Sequence, residues 1–145
     1  MRVMKGHRIV SAFSCFMLIA VVSGCAAESA GPASVAESVV RGVPETWTGP
    51  ELDLLNGTPA VGWLSDDEFG VVTIGSSACP PVATSLEVVG AADLRVDFVE
   101  SPNDTCSADM GATTHVFRLP GDIDQRPVTV TLSFTPEDRY PLFLP

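Results

Sequence analysis

His115 is the residue on which acyl-transfer chemistry in this chain would depend. The sequence has two histidines, and the other, His7, lies near the N-terminus. A Ser-His-Asp triad needs an imidazole that takes the proton from a serine hydroxyl. Ser76 and Ser77 follow Gly75, but "GSSAC" lacks the Gly-x-Ser-x-Gly turn that exposes a nucleophile. We therefore assign no catalytic residue.

Clustered carboxylates offer a second kind of chemistry. Asp66, Asp67 and Glu68 are adjacent, and paired carboxylates can act as acid and base on a glycosidic bond. Ser101–Asp109 and Gly121–Asp124 offer oxygen ligands for calcium, but neither has the Asp-x-Asp-x-Asp-Gly spacing of a calcium loop. Such acidic runs are typical of solvated turns. We predict no metal site and no cofactor.

The N-terminal residues have the pattern of a secretory signal. Arg2, Lys5 and Arg8 precede an uncharged, largely apolar run from Ile9 to Gly24. This run has about 16 residues, fewer than the roughly 20 that a membrane-spanning helix needs. The pattern predicts a signal peptide over 1–24 that is cleaved rather than retained.

The end of this leader, "VSGC", resembles the lipobox of bacterial lipoproteins, in which an aliphatic and two small residues precede a cysteine. The resemblance implies that the Cys25 thiol receives diacylglycerol and becomes the new N-terminus. Two acyl chains, at about 0.8 kcal/mol per buried methylene, hold a protein durably. We therefore predict a lipid anchor at Cys25 on the extracytoplasmic face of the cell membrane. An ordinary secretory signal with a chance cysteine is the alternative.

Charge narrows the choice of partners. The chain has 8 basic and 18 acidic residues, and loss of the three basic residues of the leader leaves 5 against 18, a balance of −13. So acidic a surface repels phosphate backbones. We therefore predict no nucleic-acid partner. The ligand expected of a surface-displayed binding module is a protein, peptide or glycan.

Cys79 and Cys106 remain once Cys25 is lipidated and the leader is removed. Thiols of exported domains normally oxidise, so an intramolecular disulfide is predicted. Closing a loop of about 28 residues stabilises a fold by roughly 3 to 4 kcal/mol. The alternative is a metal site, but these cysteines and His115 supply three ligands with no closely spaced pair.

The elements that position these residues are predicted to be strands. Residues 25–46 are rich in Ala, Ser, Gly and Glu and predict a flexible tether, which leaves 47–145 as a single domain. "TSLEVVG" and "DLRVDFV" alternate around a Gly-containing turn, and "PVTVTLSF" repeats the alternation. The pattern predicts an all-β fold, a small antiparallel sandwich or barrel of about 5–7 strands with one disulfide.

Two stretches resemble a group of small lipoproteins of actinobacteria. The matching motifs are "SSACPP", which contains Cys79, then a second cysteine at Cys106, then "RPVTVTL" from Arg126 to Leu132. The resemblance covers about residues 70–132. It implies a lipoprotein with a Cys79–Cys106 bridge, and it implies no activity.

Pro80 and Pro81 form the candidate binding loop. Consecutive prolines beside a disulfide stiffen "CPPVATS", so little entropy is left to lose on docking. The alternative is that the prolines only end one strand and direct the chain across the sandwich. We expect a lipid-anchored, non-catalytic binding module. An extracytoplasmic hydrolase, and a protease inhibitor or envelope-assembly accessory, are the alternatives.

Overall fold

A computed structural model describes residues 31–145 of the chain. The predicted leader over 1–24 and the lipidation site at Cys25 lie outside these residues. The described part forms eight strands and no helix, so the all-β prediction is confirmed. The strands are β1 (Ser38–Arg41), β2 (Ala60–Trp63), β3 (Glu68–Gly75), β4 (Val82–Gly90), β5 (Asp93–Val99), β6 (Gly111–Arg118), β7 (Val128–Ser133) and β8 (Arg139–Leu144).

The strands form two four-stranded sheets that pack as a sandwich. The first sheet has the order β1-β6-β3-β2 and is antiparallel throughout. The second has the order β4-β5-β7-β8. Within it β5 and β7 run parallel, and the other two pairs are antiparallel. The parallel pair and the eighth strand are the departures from the predicted antiparallel set of 5–7.

The connections gather at two opposite ends of the sandwich. At the "loop end", β3 finishes beside the start of β6, where Gly75 pairs with Gly111, and β4 starts beside the last residue of β5. This end carries residues 76–81, 100–110 and 134–138, and both ends of the connection 42–59, whose middle crosses the outer face of the first sheet. At the "hairpin end" lie residues 64–67, the β4–β5 turn at Ala91 and Ala92, and residues 119–127.

The core lies between the sheets and follows from the period of two in each strand. In β7 the apolar side chains at Val128, Val130 and Leu132 are fully buried, while the threonines between them are half-buried. The first sheet contributes Phe69 and Phe117, whose rings stack with centroids 5.4 Å apart. The strong alternation therefore marks the inner face of the second sheet.

The outer face of the first sheet is covered as well, by the long connection between β1 and β2. Gly62 and Gly70 are paired across β2 and β3, and the Trp47 indole lies against both. A Cβ added at Gly62 would come within 2.9 Å of the indole, and one at Gly70 within 3.2 Å. The two glycines thus form a flat surface against which Trp47 packs, and β2 and β3 are buried on both faces there.

The predicted tether over 25–46 extends too far into the domain, because β1 lies inside it. Ser38 to Arg41 pair with Val116 to Thr113 of β6. Before the strand, the Val35 amide donates to the Ala83 carbonyl at 2.9 Å. The backbone hydrogen bonds of β1 do not depend on its side chains, which are all exposed. The tether prediction is therefore wrong for the residues from Val35 to Arg41.

Candidate functional site

His115 lies inside the sandwich. Its side chain is 0% exposed, its Nε2 is 3.1 Å from the Thr73 hydroxyl, and its ring meets Phe98 edge-on at 5.0 Å between centroids. Burial lowers the pKa of His115 from its ordinary 6.5 to about 4, because the charged form loses its hydration. Its Nδ1 has no hydrogen-bond partner within residues 31–145. The imidazole is therefore a neutral core residue.

The candidate nucleophiles of the sequence are not brought to His115. The Ser76 hydroxyl lies 3.0 Å from the Ser107 hydroxyl, and the Ser77 hydroxyl lies 3.4 Å from the same oxygen. Both serines belong to the loop end, outside the core. The structure therefore does not assemble these serines with the imidazole.

The acidic run at Asp66–Glu68 forms a turn that pairs with an arginine. Arg118 donates to Asp67 at 2.7 Å and to Glu37 at 3.1 Å, and its guanidinium is 3.5 Å from Glu68. The hydrogen bond to Glu37 and the neighbouring negative charges raise the pKa of Arg118. Ser65 accepts hydrogen bonds from the backbone amides of Asp67 and Glu68. Of the three carboxylates in this run, those of Asp67 and Glu68 thus lie beside the Arg118 guanidinium.

Cys79 and Cys106 form a disulfide, as predicted, with Cα atoms 5.3 Å apart. The bond joins the β3–β4 loop to the β5–β6 loop. Each of these loops crosses from one sheet to the other, so the bond ties the two crossovers together at the loop end. The cysteines are bonded to each other, and no group of three or more metal-ligating side chains occurs in residues 31–145.

A set of hydrogen bonds joins the same two loops beside the disulfide. Asp109 accepts from the Ser77 amide at 3.0 Å and from the Ser107 hydroxyl. The Asn103 side-chain amide donates to the Ala78 carbonyl at 2.7 Å. The hydrogen bonds from the two serines hold the pKa of Asp109 well below its usual range. The loops are therefore fixed by a covalent bond and by polar contacts on either side of it.

Pro80 and Pro81 connect this fixed region to β4, so they do direct the chain from one sheet to the other. Pro81 also lines two cavities. One, of about 390 Å³, lies beside the disulfide and is bounded by Ser76, Cys79, Glu100, Ser101, Asn103 and Cys106. The other, of about 330 Å³, opens between the sheets and is bounded by Gly57, Pro59, Thr73, Ile74, Phe134, Asp138 and Tyr140. The proline loop is thus the wall between two concave surfaces.

The second cavity has an ordered aromatic wall. Phe134 stacks on Phe98 with centroids 5.1 Å apart, and Tyr140 meets Phe134 edge-on at 5.9 Å. Thr73, whose hydroxyl contacts His115, lines the cavity from the opposite sheet. An apolar or aromatic group therefore has preformed surfaces to contact here.

Sequence reasoning missed the polar residues that hold the loops, namely Asn103, Ser107 and Asp109. Their signal is present in "SPNDTCSAD", where short hydrogen-bonding side chains crowd around Cys106. The sequence cannot show that these side chains reach across to residues 77 and 78.

Comparison with protein-family models, with curated proteins and with solved structures finds no match to this chain. Within residues 31–145 no helix has the length and apolar character needed to cross a membrane.

Proposed function

We propose that this chain is a lipid-anchored, extracytoplasmic and non-catalytic binding module that presents its loop end to a partner. The anchor is the diacylglycerol-modified Cys25 that the lipobox implies. The partner is a protein, peptide or glycan recognised at the proline loop.

The observation that carries the proposal is that the β3–β4 and β5–β6 loops are held together both by a disulfide and by hydrogen bonds. The disulfide and the hydrogen bonds of Asp109 and Asn103 join them, and Pro80 and Pro81 restrict the backbone that follows. A surface that is already ordered loses less conformational entropy when a ligand docks. The cavities on either side of Pro81 give such a surface two concave faces.

The environment of His115 also favours binding over hydrolysis. A general base must reach the proton that it abstracts, and this imidazole is enclosed between Thr73 and Phe98. Its lowered pKa also makes it a weak base. His115 therefore packs as a core residue and does not project into an open cleft.

Two measurements test the proposal. The first is the mass of the chain isolated from a lipoprotein-processing bacterium, which should correspond to a mature protein that begins at Cys25 and carries diacylglycerol. An intact leader, or an unmodified Cys25 thiol in protein released to the medium, contradicts the anchor.

The second measurement is cross-linking and capture from membranes with the full chain. The affinity tag belongs in the β4–β5 turn, because the Pro145 carbonyl at the C-terminus accepts a hydrogen bond from the Trp63 indole. Replacing Pro80 and Pro81 by alanine should weaken capture of the same identified partner. Pro120→Ala, at the hairpin end, is the matched control and should leave it unchanged. Equal capture by both variants argues against the proline loop as the binding surface.

A further inference from the structure

The described chain begins at the loop end. Gly31 lies against Pro102 in the β5–β6 loop, where a Cβ added at Gly31 would come within 2.6 Å of the proline ring. Four residues later the Val35 amide is bonded to Ala83, the second residue of β4. The covalent connection to Cys25 therefore leaves the domain beside the disulfide-bearing loops.

The length of that connection limits how the domain can stand on a membrane. Gly31 is six residues from Cys25, and a fully extended chain of six residues reaches roughly 20 Å. The strand β6, with eight residues, alone spans about 26 Å between the two ends of the sandwich. An orientation with the hairpin end on the bilayer and the loop end away from it is therefore excluded for a chain lipidated at Cys25.

An ordered apolar turn over residues 54–57 lies at the loop end, where a Cβ added at Gly57 would come within 3.7 Å of Met110. Leu55 is 92% exposed and Leu54 is 43% exposed. The Asp53 carboxylate accepts hydrogen bonds from the backbone amides of Leu55 at 3.1 Å and Asn56 at 3.2 Å, and from the Asn56 side chain. The turn that holds both leucines in solvent is thus fixed by its own polar residues, and an exposed leucine pair in a fixed turn is a contact surface without a partner inside the fold.

We infer that the Leu54–Leu55 turn contacts the surface of the bilayer that holds Cys25. The inference rests on the proposed lipid anchor and names the surface that the loop end faces. Exposed apolar side chains on this end gain from transfer to the acyl boundary of a bilayer. The proline loop, at the same end of the sandwich, then lies within a tether length of the membrane.

The charge of the loop end selects the lipid. Its acidic side chains are Asp53, Glu100, Asp104, Asp109, Glu137 and Asp138, against Arg41 and Arg139. Such an excess of carboxylates is repelled by anionic headgroups within a Debye length of about 8 Å at physiological salt. The contact is therefore expected on vesicles of zwitterionic phosphatidylcholine and weakened by anionic lipid at low salt.

The test places an environment-sensitive fluorophore at position 55. Full-length chain carrying Leu55→Cys is isolated from a lipoprotein-processing host, labelled, and reconstituted in phosphatidylcholine vesicles. We expect a blue shift on reconstitution and loss of emission when the vesicles contain nitroxide lipid. Ala91→Cys, exposed in the β4–β5 turn, is the matched control and should stay in a water-like environment. Adding Leu54→Ser should reduce the response at position 55, whereas Val88→Ser near the hairpin end should not.

The mass of the same samples separates the two proposals. An unmodified Cys25 overturns the anchor and this inference with it. A chain that is lipidated at Cys25 but reports water at position 55, or nitroxide quenching at position 91 instead, overturns this inference alone.

Discussion

Lowering the pH should destabilise this domain through His115 before most carboxylates are protonated. In the folded state burial lowers the pKa of His115 to about 4, whereas in the unfolded chain it returns to 6.5. Between these values the unfolded state binds more protons, so the free energy of unfolding decreases as the pH falls. From about pH 7.5 to about pH 4.5 the loss should be about 2.5 kcal/mol, since one pKa unit corresponds to about 1.4 kcal/mol. The contribution of His115 to the free energy of unfolding is fully present at pH values above 6.5, the pKa of the unfolded state.

Urea unfolding, followed by tryptophan fluorescence at several pH values, measures this slope. With a urea dependence of about 1 to 3 kcal/mol per molar, the midpoint should fall by about 1 to 2.5 M. The control is His115→Gln, which cannot titrate and keeps a polar group near Thr73. It should be less stable at neutral pH and nearly independent of pH over the same range. An equal slope in both proteins would show that other groups carry the effect and that the account of His115 is wrong.

Three further changes test the packing and the loop connections by the same unfolding assay. Replacing Cys79 and Cys106 together by serine opens a link between residues 27 apart in sequence, and should cost about 3 to 4 kcal/mol; an unchanged midpoint would mean that the polar contacts suffice. Gly62→Ala places a Cβ within 2.5 Å of the backbone of residue 49 and should cost about 1 to 3 kcal/mol, whereas Gly75→Ala meets open space and should be nearly neutral. Leu144→Ala, at a fully buried site, should cost about 2 to 5 kcal/mol; a smaller loss would place β8 outside the core.

The sequence predicted best the elements whose signal is local. The β4–β5 hairpin joins neighbouring segments with strong alternation, and β7 alternates from Val128 to Leu132. Each of these side-chain patterns is complete within a few residues. The disulfide was also predictable, because residues 31–145 contain two cysteines, which have one possible pairing.

The elements that the sequence did not predict depend on distant partners. β1 has only four residues, all exposed, and its strand conformation follows from pairing with β6 some 75 residues later. β8 contains Pro141, which normally argues against a strand, yet it lies at the edge of its sheet, where a missing amide donor is tolerated. The cover of Trp47 over Gly62 and Gly70 likewise joins separate segments. At the candidate site, the hydrogen bonds of Asp109 and Asn103 to the β3–β4 loop likewise join residues that are far apart in the sequence.

The parallel pairing of β5 and β7 governs the order in which this domain can fold as the chain emerges. Between them the chain leaves their sheet, builds β6 into the other one, and returns. A polypeptide that emerges N-terminus first therefore presents β1 and β3 well before β6 arrives to join them. Topologies dominated by such distant pairings fold slowly. The first sheet is therefore complete only once β6 has emerged, and the last two strands, β7 and β8, then complete the second sheet.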